Sequence, residues 1–185
     1  MQASQTVIAL EGKLAPSGTQ SFRVDYRVTN TGNESVFILD QILNRSDGRM
    51  GPDPSRAYTL LGATGELVLF KGMLPIPDGL QVESPEIPYA QLLDAGKSAT
   101  GSFEMSKIIP YDNPYDYEGA AEAIEIKSVT LQVGFVPSRL AAGMGEEIER
   151  QGRTYYRFRY GALAGRQSVA SVSLGEAALQ VVRRR

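Results

Sequence analysis

The chain of 185 residues contains no cysteine, no histidine and no tryptophan. Without cysteine it has no disulfide framework, no thiolate metal site and no thiol nucleophile. Without histidine it lacks the usual side chain that changes charge near neutral pH. Nucleophilic catalysis of the Ser-His-Asp or Cys-His kind is excluded. Carboxylates, carbonyls and hydroxyls are the remaining metal ligands, which argues against zinc and leaves a hard cation such as calcium as the metal to consider. The lack of cysteine does not fix a compartment.

Further devices are missing. None of the five lysines, Lys13, Lys71, Lys97, Lys107 and Lys127, has a serine three residues before it, so a Ser-x-x-Lys nucleophile is absent. There is no glycine-rich phosphate loop ending in Gly-Lys-Ser/Thr. No apolar run approaches the roughly 20 residues of a helical membrane span. Met1-Gln2-Ala3-Ser4-Gln5 lacks the charged start and apolar core of a secretory leader. The compartment stays open: periplasmic or secreted if a leader has been removed, cytoplasmic otherwise.

What is present is globular. Hydrophobic residues make up 42% and charged residues 22%, and a chain of this size buries roughly 70% of its unfolded surface. One domain spanning residues 1–185 is expected. The net charge of -2 is unevenly spread. Residues 78–126 hold ten acids against Lys97 and Lys107, whereas 138–185 hold nine arginines against Glu146, Glu147, Glu149 and Glu176. Either these charges scatter on folding, or they form two faces that guide head-to-tail association.

The dominant pattern has period two. Phe22, Val24, Tyr26 and Val28 alternate with Arg23, Asp25, Arg27 and Thr29, which points one face at a core and one at water. Asn30-Thr31-Gly32-Asn33 suits a tight turn. Ser35–Leu43 follows, apolar on both faces at its start, as a central strand would be. Ser21–Asn44 therefore reads as a hairpin. Thr6–Leu14 is a further strand, and Ala57–Leu61 with Glu66–Lys71 a second hairpin. Later strands are read at Ser98–Ile109, Ile124–Val136, Thr154–Tyr160, Ser168–Leu174 and Ala177–Val182. The slip between Ile126 and Val129 marks a bulge. One short helix is expected at Arg139–Arg150. Residues 44–56, 72–90 and 110–118 read as loops, and 183–185 as a frayed tail. The sum is an all-β, two-sheet antiparallel sandwich of about eight to ten strands with at most one short helix.

Two fragments carry a resemblance. Phe22–Asn33 followed by Val36-Phe37-Ile38 resembles the early hairpin of bacterial immunoglobulin-like domains, and Leu93-Asp94-Ala95-Gly96-Lys97-Ser98 is similar to the entry to a later strand in them. The match covers about a sixth of the chain and departs from antibody-type domains, which carry a cysteine pair and a core tryptophan. The resemblance implies an immunoglobulin-like sandwich and no activity.

The most distinctive local feature is Pro110–Glu118. Tyr111, Asp112, Asn113, Tyr115, Asp116 and Tyr117 form a candidate recognition loop, since tyrosine offers large contact area with little rotamer entropy to lose. A variant holds calcium on Asp112, Asn113, Asp116 and Glu118, although the spacing and turn glycine of an EF-hand are missing. The plain structural alternative is a proline-stiffened connection whose tyrosines fold back over the end of the sandwich. In Thr154–Tyr160, Tyr156, Phe158 and Tyr160 share one face and Tyr155, Arg157 and Arg159 the other. That reads as an aromatic core face under a cationic solvent face. A basic-aromatic surface for nucleic acid is the rival, opposed by an acidic isoelectric point near 5.3. Asn33-Glu34-Ser35 and Asn44-Arg45-Ser46 match the glycosylation triplet, which is informative only in a secreted eukaryotic protein.

The expected function is a non-catalytic binding or assembly module, with a protein partner or self-association, no nucleic acid and no cofactor. The alternatives are a carboxylate-based carbohydrate-active enzyme and a calcium-dependent adhesive domain.

Overall fold

The computed structural model describes residues 8–44, 51–62, 64–116 and 122–183. Expectations that fall on Thr6, Val7, residues 45–50, Tyr117, Glu118, Arg184 and Arg185 lie outside them. In chain order the strands are β1 (Ile8–Pro16), β2 (Ser21–Asn30), β3 (Val36–Asn44), β4 (Gly51–Asp53), β5 (Tyr58–Leu61), β6 (Glu66–Lys71), β7 (Tyr89–Leu93), β8 (Ser98–Ser106), β9 (Ile108–Pro110) and β10 (Glu122–Pro137). A four-residue helix α1 (Ser138–Ala141), strands β11 (Glu146–Arg150) and β12 (Arg153–Arg157), a second short helix α2 (Tyr160–Leu163) and β13 (Ser168–Arg183) complete the chain.

Two sheets face each other, as the alternation implied. The small one has the order β1-β2-β8, antiparallel throughout. The large one runs β11-β12-β7-β3-β10-β13-β9, with β4 on β3 and the β5–β6 hairpin on β10. The large sheet is mixed: β6 lies parallel to β10, and β9 parallel to β13. Between them lies the main core, with Val24 and Val28 from the small sheet opposite Ile38, Leu67, Leu69, Val129, Leu131 and Val181 from the large one. Each such side chain contributes roughly 1.5–3 kcal/mol on burial.

β3 is buried at every position from Val36 to Leu43. Its inward residues Val36 and Ile38 join the main core. Phe37 and Leu39 point the other way, into a second apolar cluster with Phe158, Leu163 and Ala141 that α1 and α2 cover. Phe37 meets Tyr156 and Phe158 edge to face, both at 5.0 Å.

The hairpin expected over Ser21–Asn44 does not form. β2 pairs with β1 and β8, while β3 pairs with β4, β7 and β10, so the two strands lie in opposite sheets. The residues of the turn suit either a hairpin or an arch. The apolar demand of β3 on both faces decides between them, because only a strand inside the larger sheet is covered twice. β7 and β8 make a second arch of the same kind, and the two arches are bonded together through Asn30, which is fully buried. Its backbone N–H donates to Lys97 O (2.9 Å) and its carbonyl accepts from Gly96 N (2.8 Å). Its side-chain amide donates to Glu34 O (2.8 Å) and Leu93 O (3.0 Å), and accepts from Gly32 N (3.1 Å). The two fragments that carried the resemblance are thus one corner of the molecule.

The later half differs in detail. The helix expected over Arg139–Arg150 is confined to α1, because Gly143 takes a left-handed φ of 70° and the chain turns. Glu146–Arg150 is a strand paired with β12. The strands read separately at Ser168–Leu174 and Ala177–Val182 are one strand, β13, which takes up two one-residue register shifts against β10. One of them falls at the slip anticipated near Ile126, and Gly175, with φ 91°, sits beside both. Tyr155, expected to face solvent, is buried against Leu43 and Tyr89. Arg183, expected in a frayed tail, ends β13 bonded to Asp116. Short additional strands and the second short helix explain why there are more elements than the pattern suggested.

Asn30→Ala removes three hydrogen bonds from a buried corner and should cost about 3 kcal/mol, read as a fall in urea-unfolding stability. Asn30→Asp should cost no less, since a carboxylate would face the carbonyls of Glu34 and Leu93. A loss below about 1 kcal/mol for both would show that the arches do not depend on this amide.

Candidate functional site

Four hydrogen-bonded side chains from β2, β3 and β7 begin the site. Asp40 and Gln41 interrupt the apolar run of β3, and both are buried. One carboxylate oxygen of Asp40 accepts from Tyr26 Oη (2.9 Å), and the other accepts from Gln41 Nε2 and Gln91 Nε2, both at 2.9 Å. Tyr26 reaches it from the small sheet because its partner across the ladder is Gly101. A Cβ there would lie 2.1 Å from the tyrosine ring, so only glycine lets the ring lean across.

Lys71 ends β6 on the inward phase set by Leu67 and Leu69, and it is fully buried. Its ammonium donates to Asp40 O (3.1 Å), Pro54 O (2.7 Å) and Arg56 O (2.9 Å). The nitrogen also lies 5.0 Å from the centre of the Phe103 ring and 5.6 Å from that of Tyr26. Three donors meet three carbonyls, so the charge is satisfied without a direct ion pair. Burial nevertheless lowers its pKa to about 8, against the opposing pull of Asp40 and Asp53.

The segment that Lys71 holds carries the next layer. Arg56 grips Asp112 with two parallel bonds, Nε at 3.0 Å and Nη2 at 2.9 Å, and its Nη1 donates to Leu43 O (2.6 Å). Thr59 N donates to Asp112 O (3.0 Å), and Asp112 N returns to Thr59 Oγ1 (2.6 Å). Tyr58 Oη donates to the buried Glu86 carboxylate (2.7 Å), while the Glu86 N–H donates to Tyr115 Oη (2.9 Å). The described parts of loops 44–56, 72–90 and 110–118 are therefore tied to one another at one end of the sandwich.

The candidate recognition loop is brought together, but its side chains are largely turned inward. Tyr115 packs on Ile42, Tyr58, Phe70 and Leu74. Tyr111 leans on the main core and donates to Asp116 (2.6 Å). Asn113 closes its own turn by accepting from Tyr115 N (3.0 Å). Asp116 also pairs with Arg183 (3.0 Å), whose guanidinium stacks 4.6 Å from the centre of the Tyr111 ring. Asp116 of the acidic segment thus meets Arg183 of the basic one within the molecule. Asp112 and Asp116 each face an arginine, and Tyr117 and Glu118 lie outside the described residues. Among the described residues no cluster of three or more acidic side chains is placed to hold a metal ion.

Between the proline-rich connection and this loop lies a groove of about 730 Å³. Leu60, Leu74, Pro75, Pro77, Leu80 and Tyr115 make it apolar, and Asp78, Asn113 and Asp116 put polar groups along it. Proline walls and a hydrogen-bonded base make it stiff, which lowers the entropy lost when something binds. Sequence reasoning placed Tyr115, Asn113 and Asp116 here but missed the support beneath: Asp40, Arg56, Tyr58, Lys71 and Glu86. Two signals were available: a polar pair inside the all-apolar β3, and a lysine on the inward phase of β6.

Lys71 has a measurable signature. The unfolded chain keeps this proton to about pH 10.5 and the folded chain releases it near 8. Between those values the unfolded state binds more protons, so stability rises with pH. Above about pH 10 the sign reverses. Tyr26 and Tyr58, pushed far up by burial and then by Asp40 and Glu86 respectively, stay neutral when folded but ionise when unfolded. The melting temperature should climb from pH 8 to 10 and fall beyond it, and Lys71→Met should flatten the climb. A wild-type melting temperature that falls across the first interval would show that the ammonium is not desolvated.

No family model, curated protein or solved structure matches this chain.

Proposed function

We propose that the chain is a non-catalytic binding module, an immunoglobulin-like sandwich that presents the loop end to a protein partner. The observation that carries this reading is the convergence of three loops on one buried polar framework, leaving a stiff apolar groove with an acidic border. Loops on a rigid scaffold are the usual place for recognition. The groove's chemistry favours an extended segment that offers apolar side chains and a basic residue. Support against hydrolysis comes from the carboxylates themselves: Glu86 and Asp112 are engaged by a tyrosine and an arginine, and Asp116, along the groove, is paired with Arg183.

The test is capture from an extract of the source cells with three baits: wild type, a groove variant (Leu80→Asp with Leu60→Ser), and a variant on the outer face of the small sheet (Arg27→Ser). A partner held by the first and third and lost by the second, then reproduced with purified components, supports the reading. Nothing retained in a groove-dependent manner would count against it. Melting in calcium and in chelator should coincide. A rise of about 2.7 kcal/mol at a hundredfold excess over the dissociation constant would bring a calcium-dependent adhesive role in its place.

A further inference from the structure

A second concave surface shares no residue with the groove and carries the opposite charge. It is a cleft of about 750 Å³ between the α1–β11 turn and the β12–α2 segment. Arg157, Arg159 and Arg166 line it against a lone acid, Glu146. Arg157 reaches that acid at 3.4 Å, and Arg166 is turned onto the carbonyls of Gly161 (2.9 Å) and Ala162 (2.8 Å). Arg159 is exposed, and its guanidinium has no hydrogen-bond or ionic partner among the described residues. The floor is the buried ring of Phe158, which a Cβ on Gly145 would approach to 2.7 Å. The lip is Met144, 47% exposed. A surface of this kind suits a projection that carries carboxylates beside an apolar side chain.

The chain carries one such projection itself. Residues 77–81 are exposed at five successive positions. Leu80 N donates to Pro77 O (3.1 Å) to close the turn, and Gly79 at φ 85° allows it. The turn displays Asp78 and Leu80, the latter 36% exposed, with the exposed Glu83 just beyond. We infer that the arginine cleft of one copy receives the Asp78–Leu80 tip of a second copy. Carboxylates meet guanidinium groups, and Leu80 enters over Phe158 and Met144. The inference uses the loop end of the proposed function for the tip, and adds the cleft as its receptor. An insertion of this size belongs with transient interfaces, below about 1,200 Å², so association is weak and screened by salt.

Light scattering and sedimentation of the full chain at low and high salt test this. Wild type should associate at low salt and dissociate at high salt. A tip variant (Asp78→Arg, Leu80→Ser, Glu83→Arg) and a cleft variant (Arg157→Glu, Arg159→Glu) should each be monomeric with unchanged circular dichroism. The changed side chains are exposed, and among the described residues the one ion pair they make is the solvent-exposed Arg157–Glu146 contact. An equimolar mixture of the two variants should recover association, because the intact cleft of one meets the intact tip of the other. A monomeric wild type, a salt-resistant oligomer, or a mixture that stays monomeric overturns the inference. Binding of a mixed-sequence single-stranded oligonucleotide by wild type but not by the cleft variant, in place of self-association, also overturns it. A monomeric wild type that still captures a groove-dependent partner leaves the proposed function standing. Self-association without groove-dependent capture sinks that reading alone.

Discussion

The arrangement of the loop end depends on a single buried cation. Lys71 offers three protons, and three carbonyls, one from β3 and two from the β4–β5 connection, take them. Remove the ammonium and two backbone carbonyls of an otherwise irregular segment lose the donor that draws them into the sandwich. That segment delivers Arg56, which fixes Asp112, and Tyr58, which fixes Glu86. Order therefore passes from the interior outward, through hydrogen bonds rather than through regular strands. A desolvated charge is an expensive anchor. Its advantage is direction, since an apolar side chain in the same place would fill the volume without dictating where the loop backbone lies.

Much of the architecture was legible from period-two patterning. The alternation of Val24, Tyr26 and Val28 with Arg23 and Arg27 is kept, as are the β5–β6 hairpin, the strandless stretch ahead of β7 and the long β10. Pairing was not legible at the first turn. Asn30-Thr31-Gly32-Asn33 carries local information that fits two outcomes, and the arch that forms is held by residues more than 60 positions away, Leu93 and Lys97. Alternation states which face of a strand is apolar and says nothing about which strand lies beside it. The same limit applies to Tyr155, whose burial comes from Leu43 and Tyr89 on other strands.

The candidate site shows a related limit. A cluster of tyrosines and acids draws attention as a surface, yet Tyr111 and Tyr115 are turned toward the core and their hydroxyls are spent on the molecule's own groups. Composition marks chemical capacity, and only the fold states whether that capacity points outward. Asp40 and Lys71 are the converse case. Each looks like an isolated interruption of an apolar pattern, and their meaning appears once Tyr26, Gln91 and the carbonyls of Pro54 and Arg56 are seen around them.

The arches have a kinetic side. The chain crosses between sheets after β2, again after β7, and again after β8, so neither sheet is a run of consecutive strands. β2 must find β8, β6 must find β10 and β9 must find β13. Pairings this distant along the chain carry a loop-closure cost before any contact offsets it, which makes folding slow. During synthesis, β6 and β9 emerge well before the strands that cover them. A nascent chain halted before β10 would expose Leu67, Leu69 and Ile109 together with unpaired strand edges, the kind of surface that recruits chaperones or aggregates.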